Sequence, residues 1–581
     1  SLHLVRQRDR RKARPQGRRM GPVQPGSHHS QPAGPRKARS LGRFHADYQV
    51  VYKPTENSSL AAYCSARFFA FITGFIYIGN MTPIFSIPNI RALDEASKKN
   101  IAGGYVLMKE AASALANRVL ELVQEQKKSP KVAIFVGGGN NGGDGLVCGK
   151  MLMEQGIPCS VYSPADLTHL KDEAALAYQD FMDNGGKIFT KPTTYDFTIA
   201  VDALLGNGAV GELRPAFAEA ALDINKMAQC GAYIIAADAP TGFVKANETL
   251  FFGFPRLEGY AKETAEKYGK IKIAKLSYKK ELIPKFTDNI FLATEEDIAS
   301  MLPKRGDFGD KRSQGAALII AGSKNMTGAA ALCTEAALRS GAGLVTLACP
   351  KSIIPIVQAK LSEPVFCSLP DGSYSEAQSG VLQPGNIPLL LQKTAHHRAV
   401  AIGPGISTER SAKEAVLNFL SKIDDCPLIL DADAINAVAS EPTILQAIST
   451  PTILTPHIRE YGRLFGNLPE NTSEIPTILR NVSKNTNKVI LLKHCPIFIA
   501  DPSGRVVVVP ASNSGMAKGG SGDVLTGIMV ALLAQGMVSA DAAVLATLLH
   551  QKAGRLTREK MGAFSMLPSD VIKQLHFAFG A

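Results

Sequence analysis

NSGMAKGGSGDVLTG, residues Asn513–Gly527, decides how this 581-residue chain is read. It holds five glycines and one acid, Asp523, and runs into an apolar helical pattern, Val524–Leu533. Glycine lets backbone approach a ligand closely and adopts positive φ without strain. The first N–H groups of a helix have no intrahelical partner, and the helix dipole favours an anion there. An acid at such a place repels a phosphate, unless it serves as the general base for a hydroxyl that is being phosphorylated. The plain alternative is a glycine turn in which Asp523 caps the helix.

Working outward, the second half opens with GAALIIAGSKNMTGAAALCTEAALRSGAGLVTLACP, Gly315–Pro350. The pattern is strand, glycine turn, small-residue helix, glycine turn, strand, a βαβ unit. AVAIGPGIS (Ala399–Ser407) is a strand ending in a tight glycine turn, and LILDADAIN (Leu428–Asn436) is a strand ending in two acids. Asp431 and Asp433 have the chemistry of metal ligands but no close third ligand, so a hydrogen-bonding role suits them better. TPHIRE (Thr455–Glu460) sets His457 at a strand end, where a lone histidine is more often structural than catalytic.

The first half repeats the logic. Ile90–Glu125 has helical spacing, and Val132–Val136 reads as a buried strand followed by GGGNNGGDG, Gly137–Gly145, and a helix from Leu146. Strand, glycine loop and helix form the phosphate-cradling turn of doubly wound sheets, although no G-K-[ST] follows. VDALLGNGAVGE (Val201–Glu212) and ADAPTG (Ala237–Gly242) each end a buried strand in an acid, Asp202 and Asp238. Each acid alone could merely cap a loop. Three such strand ends in one half-chain point to a site at the carboxyl edge of a parallel sheet.

Asn513–Gly527 resembles the GxGD anion hole of the ribokinase-like fold, and with AGSKNMTGAA (Ala321–Ala330) the second half resembles the ADP/ATP-dependent NAD(P)H-hydrate dehydratase family. GGGNNGGDG, VDALLGNGAVGE and ADAPTG resemble the NAD(P)H-hydrate epimerase family. The resemblance implies an α/β chain of two domains: a Rossmann-like doubly wound epimerase domain, residues 81–285, and a ribokinase-like dehydratase domain, residues 286–581. A disordered basic extension, residues 1–80, would precede them. The implied function is repair of hydrated NADH and NADPH. The first domain interconverts the R and S hydrates, and the second dehydrates the S form with ADP. The alternative is a ribokinase-like small-molecule kinase with a non-catalytic N-terminal binding domain.

The same resemblance implies the site residues. Asn140, Asn141, Gly142, Gly143 and Asp144, with Gly206, Asn207, Gly208, Ala209, Val210, Gly211, Glu212 and Asp238, would hold the hydrated cofactor in the first domain. Asn141, Asp202 and Thr241 would ligate K+. In the second domain Ala329, Gly405, His457 and Asp523 would hold the hydrate, with Asp523 the catalytic base. Lys493, His494, Cys495, Pro496, Ile497, Gly519, Gly520, Ser521 and Gly522 would bind ADP, with Mg2+ bridging its phosphates. The chain departs from the family at Leu107–Ala112, where Lys109 and Ala112 replace Glu and Gly, and at Leu491–Ile497, where His494 and Ile497 replace Gly and Thr.

Composition bounds the partners. The net charge is +13, but residues 1–43 hold twelve basic side chains against Asp9 alone, which leaves +2 for the rest. The charge therefore does not make the folded body a nucleic-acid binder. An Arg-rich, acid-poor start reads as a transit peptide, a nucleic-acid arm or an added extension, with the functional start near Met81. The apolar run Phe68–Ile78 is shorter than the ~20 residues a membrane helix needs. Nine cysteines without a CxxC pair suggest neither a disulfide framework nor a zinc ribbon, so a reducing compartment, the cytoplasm, is expected. Small-molecule partners and a homo-oligomer complete the expectation.

Overall fold

The structure, a computed structural model, describes residues 81–98, 104–126, 129–206, 211–371 and 380–580. The basic stretch and Phe68–Ile78 lie outside the described residues, as do Asn207, Gly208, Ala209 and Val210 of the predicted first site.

Two sheets organise the chain. The first has seven parallel strands in the order Ile188–Phe189, Cys159–Tyr162, Val132–Val136, Ile199–Ala203, Tyr233–Ala237, Glu248–Phe252, Lys270–Ala274. Every residue of Val132–Val136 is buried, because the sheet is covered on both faces. Val132, Ile134 and Val136 join one core with the helices Gly104–Gln126 and Asn140–Glu154, whereas Ala133 and Phe135 join the core under the helix Pro215–Gln229. That two-residue alternation is the strand's own geometry. From Val132–Val136 the chain adds two strands on one side, then returns to place Ile199–Ala203 on the other. The switch point falls between those two strands, where open α/β sheets bind ligands.

The second sheet has eleven strands. Seven are parallel, in the order Val489–Leu492, Thr452–Leu454, Leu428–Leu430, Ala399–Ile402, Ala316–Ile320, Leu344–Pro350, Val365–Leu369, with a switch point between Ala316–Ile320 and Ala399–Ile402. Ile497–Ala500 and Val506–Val509 extend it antiparallel, and Ile290–Leu292 pairs with Val506–Val509 in parallel. The outermost strand, Thr82–Ile84, comes from the start of the described chain, upstream of the whole first sheet. Ser86 and Asn89 hold it there by donating to the carboxylate of Asp288.

The expected βαβ unit forms as Ala316–Ile320, Thr327–Arg339 and Leu344–Pro350. Its helix packs on the helix Ser521–Ala534, and a Cβ on Gly527 would lie 2.2 Å from the Cys333 carbonyl and 2.8 Å from Ala336 Cβ. Small residues on both helices permit that approach. All of Val524–Ala534 is buried, at about 1.5–3 kcal/mol for each large aliphatic side chain.

One expectation needs correction. The helix after the first glycine loop begins at Asn140, not at Leu146. The glycines are there for contact: a Cβ on Gly142 would lie 1.9 Å from the Gly137 carbonyl, and one on Gly145 2.8 Å from both Ala203 Cβ and Val136 Cγ1. Close packing on the sheet outweighs glycine's low helix propensity of about 1 kcal/mol.

Candidate active sites

At the first switch point the strand Ile199–Ala203 delivers Asp202, fully buried, into a set of donors. Its carboxylate accepts from Thr241 N at 2.6 Å, Thr241 Oγ1 at 2.8 Å and Leu204 N at 3.2 Å. Burial pushes this carboxyl up to about 6 against those bonds. Beside it, both side-chain polar atoms of Asn141 are buried without a hydrogen-bond partner among the described residues. An unpartnered buried amide costs about 1–3 kcal/mol. Gly206 permits the approach, since a Cβ there would lie 3.3 Å from Asn141 Cβ.

A cavity of about 860 Å³ opens over this edge, lined by Asn140, Asn141, Asp144, Gly206, Gly211, Glu212 and Asp238. Seven of the predicted contacts therefore share one wall, and Gly142 and Gly143 are buried in the helix turn behind it. Asp238 has φ +64°, a left-handed conformation that Asp tolerates better than most residues. Arg256 donates to the Asp238 carboxylate and, at 3.0 Å, to its carbonyl, with its guanidinium 4.3 Å from the Phe251 ring centre. Burial pushes Asp144 well above the carboxylate range, with Asp238 and Asp94 adding to it. Asp94, Tyr278 and Arg256 also line the cavity, and sequence reasoning missed all three. They sit in the flanking segments and carry no motif.

The second sheet gathers its residues at its carboxyl edge in the same way. Asp431 follows the strand Leu428–Leu430 and is buried. Its Oδ1 accepts from Thr455 Oγ1 at 2.7 Å and from Lys493 Nζ at 2.5 Å; Oδ2 accepts from Thr526 Oγ1 at 2.7 Å. Burial opposes its charge, yet Lys493 and the two threonines hold the carboxyl below its usual range. Lys493 is held up in turn by Asp431. A Cβ on Gly522 would lie 3.2 Å from Lys493 Nζ, so the glycine brings the ammonium to the start of the helix Ser521–Ala534.

Asp523 is the third residue of that helix, after Gly520 at φ +97°. Its carboxylate accepts no hydrogen bond from the described residues. Burial, then Asp431 and Asp433, push it up to about 6, with Lys493 pulling the other way. Asp433 starts the helix Asp433–Val438 and accepts from Ser407 N at 3.0 Å. No group of three or more His, Cys, Asp or Glu able to hold a metal occurs among the described residues.

His457 caps the helix Ile458–Phe465: Nδ1 accepts from Arg459 N at 3.0 Å and Glu460 N at 3.3 Å. That fixes the proton on Nε2, and burial with nearby Lys493, Arg463 and Arg459 lowers its basicity. It also bridges Lys493 through the backbone, which brings it to the site. Gly405, at φ +62°, sits against Ala329: a Cβ there would lie 2.8 Å from Ala329 Cβ. Ser521 faces the buried His550 at 3.4 Å, a residue the sequence did not single out. His494 has a buried Nδ1 without a partner, and Cys495, Pro496 and Ile497 lead into the strand Ile497–Ala500. Gly519 leaves open space where a side chain would stand.

Two mainly parallel sheets, each with acids and glycines at the carboxyl edge beside its switch point, define an α/β protein with two candidate sites. Family models match both halves: NAD(P)H-hydrate dehydratase over residues 317–576, and YjeF-related protein N-terminus over residues 104–253. The chain is 31% identical over 504 residues to the bifunctional NAD(P)H-hydrate repair enzyme Nnr of Moorella thermoacetica, covering 83% of this chain and 93% of that one. It is 31% identical over 509 residues to its namesake in Coxiella burnetii, covering 85% and 99%. Among solved structures, an ADP/ATP-dependent NAD(P)H-hydrate dehydratase from Bacillus subtilis, co-crystallised with ATP/Mg2+, is 29% identical; it covers 49% of this chain and 96% of that one, with a TM-score of 0.41. The chain belongs to the family of bifunctional NAD(P)H-hydrate repair enzymes. No helix among the described residues is long and apolar enough to cross a membrane.

Proposed function

We propose that the protein restores hydrated NADH and NADPH in two steps. The first domain interconverts the R and S hydrates. The second phosphorylates the ring hydroxyl of the S hydrate from ADP and eliminates phosphate to return NAD(P)H. The observation that carries the reading is Asp523: a half-buried carboxylate that accepts no hydrogen bond from the described residues, at a glycine-rich helix start beside Lys493. Asp523 takes the hydroxyl proton as phosphoryl transfer begins. The N–H groups of Gly519–Gly522 and the Lys493 ammonium hold the transferring group, a role that electrostatic preorganisation suits. Ala329, Gly405 and His457 seat the hydrate; Lys493–Ile497 and Ser521 seat the nucleotide. Mg2+ bound with the nucleotide would supply neutralising charge.

In the first domain Asn140–Asp144, Gly206–Glu212 and Asp238 hold the hydrate. The oxygens of Asn141, Asp202 and Thr241 form a hard donor set that suits K+, and the partnerless Asn141 amide supports that assignment. Held by those residues, K+ would supply a fixed positive charge to the first site. The eight described cysteines are all free thiols, in keeping with a cytoplasmic protein that we take to be a homo-oligomer.

The test supplies purified R and S hydrates separately, with ADP or ATP, in K+ or Na+ buffer. S hydrate is expected to yield NAD(P)H directly. R hydrate is expected to do so only after interconversion, faster in K+. No NAD(P)H from S hydrate with either nucleotide overturns the dehydratase reading.

A further inference from the structure

The epimerase reading leaves its proton chemistry open, and the cavity answers it. Inverting a hydroxyl-bearing ring carbon next to nitrogen needs an acid and a base. The acid protonates the departing hydroxyl, so the C–O bond breaks with its electron pair and water leaves. The ring nitrogen's lone pair then forms a C=N bond. Water adds to the other face and gives its extra proton to the base. One proton passes from acid to base and returns through solvent, with no other reactant consumed.

Asp94 lies on the helix Ile87–Lys98, which follows directly on the edge strand Thr82–Ile84. Tyr278 lies after the last strand of the first sheet, in the segment leading into the second domain. Both line the cavity, and Tyr278 Oη donates to Asp94 Oδ1 at 2.6 Å. A Cβ on Gly253 would lie 2.5 Å from Tyr278 Cε2, so the ring is seated on backbone with little freedom to turn away. Asp238 lines the same cavity with Arg256 as its ion-pair partner. Asp94 forms no ion pair with a described residue, although Lys98 and Arg256 act on it from a distance. Two carboxyls in one cavity, one paired with a cation and one not, are the arrangement that separates acid from base.

Resting on the epimerase reading, we propose that Asp94 is the acid–base partner of Asp238 in hydrate epimerisation, and that Tyr278 is the positioning residue that aims it. The two segments that tie the halves together thus also complete the first site. Both Asp94 and Tyr278 lie outside the stretch matched by the YjeF-related model, residues 104–253. Burial sets Asp94 at about 6, against the Tyr278 bond and with Asp238 adding, so it holds a proton over a useful fraction of its time near neutral pH.

The test measures R-to-S conversion above the uncatalysed rate by the full-length protein, with S-hydrate dehydration as an internal control. Asp94→Asn is expected to lower kcat for epimerisation by roughly 10²–10⁴-fold with KM little changed and dehydration intact. Tyr278→Phe removes a bond that favours the Asp94 carboxylate, so the alkaline limb of the epimerisation profile is expected to move to higher pH. Epimerisation by Asp94→Asn within threefold of the parent overturns the assignment. Should that variant not fold, an unmoved limb in Tyr278→Phe overturns it instead. A parent protein that dehydrates S hydrate but never converts R would sink the epimerase reading itself, an outcome distinct from either.

Discussion

The two carboxyl edges are built alike and finished differently. At the first, the cavity wall carries polar groups that no described residue satisfies: the Asn141 amide has no partner, and neither the buried Asp144 nor the half-buried Asp94 has a cation bonded to it. At the second, Asp431 has both oxygens filled by Lys493, Thr455 and Thr526, and among the acids named there Asp523 accepts no hydrogen bond from the described residues. Interconverting two hydrates needs two groups of opposite protonation state around one carbon. Phosphoryl transfer needs one base and a fixed field of donors and positive charge. The contrast in hydrogen bonding follows the contrast in chemistry.

The largest effect that could break this comparison concerns independence. Asp202→Asn keeps the shape of a buried carboxyl and removes its charge. It is expected to abolish K+-stimulated epimerisation while S-hydrate dehydration stays within about twofold, since the residue belongs wholly to the first site. Loss of both activities in a protein that still unfolds at the parent's temperature would mean the edges form one functional unit.

A smaller effect sharpens the claim that the second edge is preset. Asp431→Asn leaves the half-buried Lys493 without its counter-charge; breaking a fully buried pair costs about 3–5 kcal/mol, and this one should cost less. Chemical denaturation should show that loss, with dehydration weakened alongside it. An unchanged midpoint would show that Lys493 reaches another partner or solvent.

Smaller still is the stability effect of the free acid. Asp523 sits at about 6 in the folded protein, against 3.8 for the model acid. Its folded-state pKa is raised, so its contribution is fully favourable below about pH 4 and is lost as pH rises through 6. Asp523→Asn should therefore stabilise the protein by about 1–3 kcal/mol at pH 7, the free energy of a shift of this size, and the gain should vanish below about pH 4. Parallel stability curves from pH 4 to 8 would contradict the buried, unpaired state.

Much of this was legible in the sequence, for local reasons. Val132–Val136, the βαβ unit and the acids after buried strands follow from apolar runs bounded by glycine, and the strand ends place the sites. The start of the helix Asn140–Glu154 was not legible, because glycine signals a turn in sequence whether it makes one or only makes room. Nor were Asp94, Arg256 and Tyr278: each is brought to the cavity by long-range packing, with Asp94 162 or more positions away from the other two. The edge strand Thr82–Ile84 was hidden for the same reason, since its partner Ile290–Leu292 lies beyond the whole first sheet. His457 shows a residue read for one role that carries a second, as its Nδ1 caps a helix while the backbone bridges Lys493.

Asp523 is the proposed base of the dehydratase site, and its loss is the most direct test of that role. The measurement is turnover of purified S hydrate by Asp523→Asn, with ADP affinity taken on the same sample. Turnover is expected to fall by roughly 10²–10⁴-fold, the scale of a lost general base, with ADP binding and fold retained. Near-parental turnover by that variant would contradict the account.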